Sequence, residues 1–214
     1  MIARFHDVAG IVLAGGGSRR MGGVPKAMIT VGGVRILDRI LAVMRPLFSE
    51  ILVVANEAAP FAGIDGVRVV TDAFRGCGPM GGIHAGLKAM SRRAGFFAAC
   101  DMPFLDPALV ARVCRLGLGE AVECAVPCSH RGLEPLHALY GKEALPAFEA
   151  SLRRGEFRIR RAVGACRCVY VGIRGAQLDA VYNVNCPDDL AGAEGRERPS
   201  EAVRGEAAWK ISQS

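Results

Sequence analysis

Short apolar runs alternate with polar breaks along most of the chain. Runs of strand length fall at 10–14, 51–55, 67–71, 96–100, 122–127, 136–140 and 168–173. Between several of them the apolar positions switch to helical spacing. The 35–48 stretch sets Ile36, Leu37, Ile40, Leu41, Met44, Leu47 and Phe48 on one broad stripe, and 82–90 and 107–116 read similarly. Asp106-Pro107 supplies an N-cap followed by proline at the first helical position. Strands alternating with helices predict an α/β fold in three layers, Rossmann-like, with a mostly parallel central sheet and helices on both faces. No internal repeat interrupts it. In such a sheet, ligands collect outside the carboxyl ends of the strands. The residues to inspect are therefore the loop after the first run, Asn56 after the second, Asp72 after the third and Asp101 after the fourth.

The first of these carries the strongest signal. Ile11-Val-Leu-Ala14 leads into Gly15-Gly-Gly-Ser-Arg-Arg20-Met-Gly-Gly-Val-Pro-Lys26. Glycine permits positive φ and close backbone approach, and consecutive N–H groups in such a turn make a concave site for phosphate. Arg20 and Lys26 add full charges at its rim. The loop is not a P-loop, because Gly22-Gly23 is followed by Val24-Pro25 rather than Lys and Ser or Thr. A dinucleotide fingerprint begun at Gly15 would need glycine where Arg20 stands. The alternative reading is a glycine-rich surface turn with solvated arginines. Asp101 ends the apolar run 95–100, and a carboxylate there needs a partner or a metal, because burying it alone is costly. A turn or cap aspartate is the competing assignment.

Bulk properties narrow the classes. A chain of 214 residues suits one domain, or one domain plus a tail, and buries about 70% of its unfolded surface without a staple. No apolar run approaches the roughly 18 residues of a membrane span. The first residues lack the apolar stretch of a signal peptide, so a cytoplasmic protein without membrane contact is expected. Eight cysteines, Cys77, Cys100, Cys114, Cys124, Cys128, Cys166, Cys168 and Cys186, sit mostly in apolar runs. They read as buried free thiols, with Cys124, Cys128, Cys166 and Cys168 as the alternative of a zinc site. The net charge of +6 favours anionic partners. One Trp and three Tyr, none interleaved with the basic clusters, argue against nucleic acid. A nucleoside triphosphate fits the charge as well. Beyond Gly192 the sequence turns polar, which predicts a domain over 1–192 and a mobile tail over 193–214, with Trp209 as the one feature able to dock.

The loop 13–26 resembles the signature loop of nucleotidyltransferases with the MobA-like fold, and within them the molybdenum cofactor guanylyltransferases. Three further segments carry the resemblance across about residues 9–192: Gly76-Cys-Gly-Pro79-Met-Gly-Gly82-Ile, Arg131-Gly-Leu-Glu134-Pro135-Leu-His137, and Asn183-Val-Asn185-Cys-Pro-Asp-Asp189. Pro25 departs from that group, which usually has Asp before the lysine; proline is common in the wider superfamily. The resemblance implies transfer of GMP from GTP to the phosphate of the molybdenum cofactor, with release of pyrophosphate. It implies Mg²⁺ on Asp101, catalytic roles for Arg20, Lys26 and Asp101, and a nucleotide site of Leu13, Ala14, Gly15, Gly16, Lys26, Asn56, Asp72 and Asp101. Gly78, Pro79, Gly82, Asn183 and Asn185 would meet the acceptor, and Glu134, Pro135 and His137 could touch it. Gly15, where related cytidylyl enzymes have alanine, favours GTP. A monomer is expected, with transient contacts to cofactor-biosynthesis proteins or molybdoenzyme chaperones. Open alternatives are another nucleotide or acceptor on the same fold, such as cytidylyl or sugar-phosphate transfer, and a non-catalytic nucleotide- or nucleic-acid-binding protein.

Overall fold

Every residue of β1 (Val8–Leu13) is buried, as an unbroken apolar strand covered on both faces requires. Val8 and Val12 enter one half of the core, and Ala9, Ile11 and Leu13 the other, following the two-residue period of a strand. The structure is a computed structural model describing residues 4–15, 25–71, 74, 76–119 and 121–196. β1 lies between β4 (Ile51–Ala55) and β6 (Ala94–Ala99), parallel to both. β5 (Arg68–Thr71) adds parallel to β4. On the other side β9 (His137–Gly141) runs antiparallel to β6 and to β7 (Cys124–Ser129), and β10 (Cys168–Gly172) is parallel to β7. The order is β10-β7-β9-β6-β1-β4-β5, with β8 (Gly132–Leu133) paired on β7. A hairpin of β2 (Thr30–Val31) and β3 (Val34–Arg35) stands apart.

The antiparallel β9 has a simple cause. Residues 130–136 are all that separate it from β7, and a parallel crossover takes about a dozen or more. Elsewhere the parallel strands are linked through helices. α1 (Ile36–Leu47) and α3 (Pro107–Gly117) pack on one face, joined by α6 (Pro187–Gly195) through Ala193. α2 (Pro79–Ala89), α4 (Leu145–Arg153) and α5 (Ile159–Gly164) pack on the other. The layers are thus helices, sheet and helices. Asp106 caps α3 as expected, its Oδ1 accepting from the Ala108 N–H at 2.9 Å. Among the described residues no helix is long and apolar enough to cross a membrane. The predicted tail lies outside the described residues from 197 onward.

α2 packs closely on the sheet at Gly86. A Cβ on Gly86 would stand 2.7 Å from Phe97 Cε1 and 3.1 Å from Ile11 Cγ2. Both neighbours are fully buried ring or branched side chains without room to retreat. Gly86→Ala is therefore expected to lower stability by about 1–3 kcal/mol, the usual cost of overpacking, despite the helix propensity of alanine. Urea unfolding checks it, and an unchanged midpoint would mean that α2 is free to move.

His137 gives the core a pH dependence. It is fully buried opposite Ala98, edge-on to Phe96 with ring centroids 5.1 Å apart, and neither ring nitrogen has a partner. Burial alone pushes its pKa down to about 4. The unfolded chain takes up this proton near pH 6.5, whereas the folded protein resists it until about 4. Stability is therefore fully present above pH 6.5 and falls as pH drops toward 4, by about 3 kcal/mol for this group. Denaturant titrations of the wild type and His137→Leu should diverge across that window, with the wild type losing more.

Candidate active site

Three strand ends are tied into one edge. The Ala14 N–H donates to Val54 O at 2.7 Å and the Cys100 N–H to Leu13 O at 3.0 Å, which joins the ends of β1, β4 and β6. Just beyond β4, Asn56 Nδ2 donates to Gly15 O at 2.9 Å and anchors the start of the glycine loop. A pocket opens there, lined by Leu13, Gly15, Lys26, Val54, Ala55, Gly78, Pro79, Gly82, Ala99, Cys100, Asp101 and Leu136. Among the described residues its walls are largely apolar and its charged groups are Lys26 and Asp101. Burial pushes the Cys100 thiol up to about 12, so this cysteine lines the pocket in neutral form.

Asp101 is placed by β6, which has no polar side chain, and by a backbone bond from the Val184 N–H to its carbonyl at 2.8 Å. Its Oδ2 accepts from Lys26 Nζ at 3.0 Å. Its Oδ1 is buried and has no partner. An orphaned carboxylate oxygen in a pocket is an open coordination position, and the hard, oxygen-seeking Mg²⁺ suits it. Among the described residues no group of three His, Cys, Asp or Glu could hold a metal. A cation here would thus depend on substrate oxygens and water, the usual arrangement for Mg²⁺.

Lys26 is presented by a turn that begins at Pro25. Proline at φ −55 and ψ 128 opens the 3-10 helix Lys26–Met28, whose first bond runs from the Met28 N–H to Pro25 O at 2.8 Å. The departure from the usual aspartate thus leaves the lysine at the pocket. Its ammonium also donates to Asn185 Oδ1 at 2.6 Å. Opposite stands the start of α2. Gly78, its N-cap, has φ 60 and ψ −150, a conformation essentially confined to glycine. A Cβ there would meet nothing within 4 Å, so conformation rather than crowding demands glycine. The free N–H groups and positive dipole end of α2 adjoin the pocket.

Leu13, Gly15, Lys26, Gly78, Pro79, Gly82 and Asp101 all line this one pocket. Asn56 contributes through Gly15, and Ala14 through its backbone bond to β4. Gly16, Arg20 and Asp72 lie outside the described residues. Asn183 does not line the pocket; its Nδ2 donates to Val181 O at 3.1 Å. Asn185 is engaged with Lys26. His137 is a correction: it is sealed in the core on the α3 side and cannot touch an acceptor. Pro135 O accepts from Tyr140 Oη at 2.8 Å, and Glu134 is half-buried near Arg131 and Arg160. The zinc alternative fails among the described residues, and all eight cysteines are free. The apolar pocket residues Val54, Ala55, Ala99, Cys100 and Leu136 were not singled out from sequence, although all sit at strand ends.

The MobA-like NTP transferase domain family matches residues 10–198. The chain belongs to the MobA-like nucleotidyltransferase family. A molybdenum cofactor guanylyltransferase of Desulfosudis oleivorans is 33% identical over 192 residues, covering 87% of this chain and 94% of that protein. One from Vibrio cholerae is 32% identical, covering 86% and 90%. The crystal structure of molybdopterin-guanine dinucleotide biosynthesis protein A from Archaeoglobus fulgidus superposes with a TM-score of 0.77 at 26% identity, over 87% of this chain and 97% of that one. These relatives match the chain over most of its length, and the chain is a nucleotidyltransferase.

Proposed function

We propose that the protein transfers GMP from GTP to a terminal phosphate of the molybdenum cofactor, releasing pyrophosphate. An acceptor oxygen would form the new bond to the α-phosphorus while the bond to the pyrophosphate oxygen breaks. The attacking phosphate is already anionic, so no general base is required. The observation that carries the reading is the pairing of Lys26 with Asp101 in the pocket that the Gly15 turn shares with the start of α2. Relatives named as guanylyltransferases over nearly their whole length support the choice of nucleotide and acceptor.

Transfer of this kind rests on positioning and charge stabilisation. Leu13, Ala14, Gly15 and Asn56 would seat the nucleoside against the apolar wall, with Gly16 and Asp72 as further candidates. Lys26, with Arg20, would neutralise charge on the departing pyrophosphate, and the α2 N-terminus behind Gly78 would favour phosphate. Asp101 would hold Mg²⁺, which when bound supplies positive charge to the phosphate oxygens.

Pyrophosphate release with each of four triphosphates, with and without purified molybdenum cofactor, tests the reading. GTP plus cofactor should give pyrophosphate and the guanine dinucleotide product; equal or better use of CTP, or release without cofactor, would refute it. Gly15→Ala refines the assignment. Among the described residues the added methyl would meet the Asn56 side chain, Oδ1 nearest at 3.5 Å, an ordinary contact, so the fold should be unaffected. Use of GTP should fall more than use of CTP, read as kcat/KM for each; equal losses would leave Gly15 without a role in base choice.

A further inference from the structure

The segment 182–189 is held more tightly than a helix start requires. Asp189, third residue of α6, accepts the Cys186 N–H at 3.0 Å on Oδ2, the ordinary reach of a capping box. The same oxygen also accepts the N–H of Asn185, at 2.8 Å, one residue before the cap. These bonds hold the Asp189 carboxyl below the usual carboxylate range. Tyr182 Oη donates to Asp189 O at 2.8 Å, and the Val184 N–H donates to Asp101 O at 2.8 Å. The result fixes the backbone of Asn185, whose Oδ1 receives the Lys26 ammonium at 2.6 Å.

We propose that Asp189 is a positioning residue: by clamping the Asn185 backbone it makes Asn185 Oδ1 a fixed acceptor that holds Lys26 against Asp101. The proposal rests on the role given to Lys26 above. An ammonium has three donors on a flexible four-carbon stem. Asn185, before α6, and Asp101, after β6, take two of them, which leaves one for a phosphate and removes most of the freedom of the stem. A charge stabiliser works only if held in place before the reaction, and a displacement of about 1 Å can cost on the order of a hundredfold. Asn185 is thereby assigned to the lysine rather than to the acceptor.

Capping alone and positioning make different predictions. Asp189→Ala and Asp189→Asn are compared in the full chain, with and without Lys26→Ala. If Asp189 acts through Lys26, Asp189→Ala lowers the single-turnover rate at saturating GTP about tenfold, Asp189→Asn, which keeps a carbonyl acceptor, recovers most of it, and Asp189→Ala adds no further loss to Lys26→Ala. A cap without this role lowers the thermal midpoint and leaves the rate intact; equal fold-losses in the two backgrounds likewise overturn the proposal. A second readout needs no turnover. Acylation of Lys26 by an amine-reactive reagent, followed by peptide mass spectrometry with Lys88 as internal reference, should speed up severalfold in Asp189→Ala and less in Asp189→Asn. Unchanged labelling sinks the clamp even if the wild type uses another nucleotide or acceptor. Altered labelling in a protein that fails to use GTP sinks only the guanylyl reading.

Discussion

Asp101→Asn is expected to give a folded protein whose transfer rate is lower by about 10²–10³-fold, equivalent to roughly 3–4 kcal/mol of lost transition-state stabilisation. The stability half of this expectation follows from the same atom as the activity half. Oδ1 is buried without a partner, so the folded protein bears the cost of a partly desolvated charge that the chain itself leaves incompletely compensated. A neutral amide of nearly the same shape exchanges that cost for the smaller one of an unpaired buried amide group, and the thermal midpoint should stay level. The Lys26 ammonium loses a charged partner at 3.0 Å but keeps Asn185. For the reaction, the amide offers one acceptor oxygen in place of two and no charge, which a hard divalent cation tolerates poorly. The measurement is product formation across a magnesium titration, with thermal unfolding in parallel. Loss of rate that no magnesium concentration restores, at an undiminished midpoint, is the expected result. Near-normal turnover with unchanged magnesium dependence would remove Asp101 from the metal-binding role.

The parts of the site legible in sequence are those governed by local rules. Parallel strands buried on both faces are written as unbroken apolar runs, so β1, β4 and β6 were recoverable, and the residues just beyond them pointed to Gly15, Asn56 and Asp101. The direction of β9 was not legible, since an apolar run has the same composition whichever way it points. The shortness of 130–136 was the available clue. His137 misled for a related reason. A histidine beside the motif residues Glu134 and Pro135 suggests a polar contact, yet its register opposite Ala98 turns it toward α3 and the core. Asn183 and Asn185 look equivalent in sequence. One bonds to Val181 two residues back and the other to a lysine 159 positions away, and only tertiary structure distinguishes them. The apolar spacing alone places the start of α2 at 82 rather than Pro79, because Gly81 and Gly82 give no apolar signal.

Lys26→Ala is expected to lower kcat/KM by about 2–4 kcal/mol, with most of the loss in the chemical step. The ammonium is the described cation in the pocket, and its two acceptors converge on it from β6 and from the segment before α6. It is only 17% exposed, so water screens it less than a surface lysine, and its field acts on whatever phosphate oxygens share the pocket. Truncation also leaves Asp101 Oδ2 without the ammonium that partners it at 3.0 Å. Lys26→Arg should recover only part of the rate. A compact ammonium meets acceptors at 2.6 and 3.0 Å from one nitrogen, and a planar fork spreads its donors over several. Pro25→Asp should be tolerated, since the backbone bonds of the turn come from Met28 and Ile29 and use no proline-specific atom. Single-turnover rates at saturating GTP separate the two ways in which the lysine could act. A falling rate at saturation marks a contribution made in the transition state. If instead only the GTP concentration needed for half-saturation rises and the rate holds, Lys26 binds the ground state and transition state equally, and the charge that stabilises departing pyrophosphate must come from elsewhere, with Arg20 the first residue to replace.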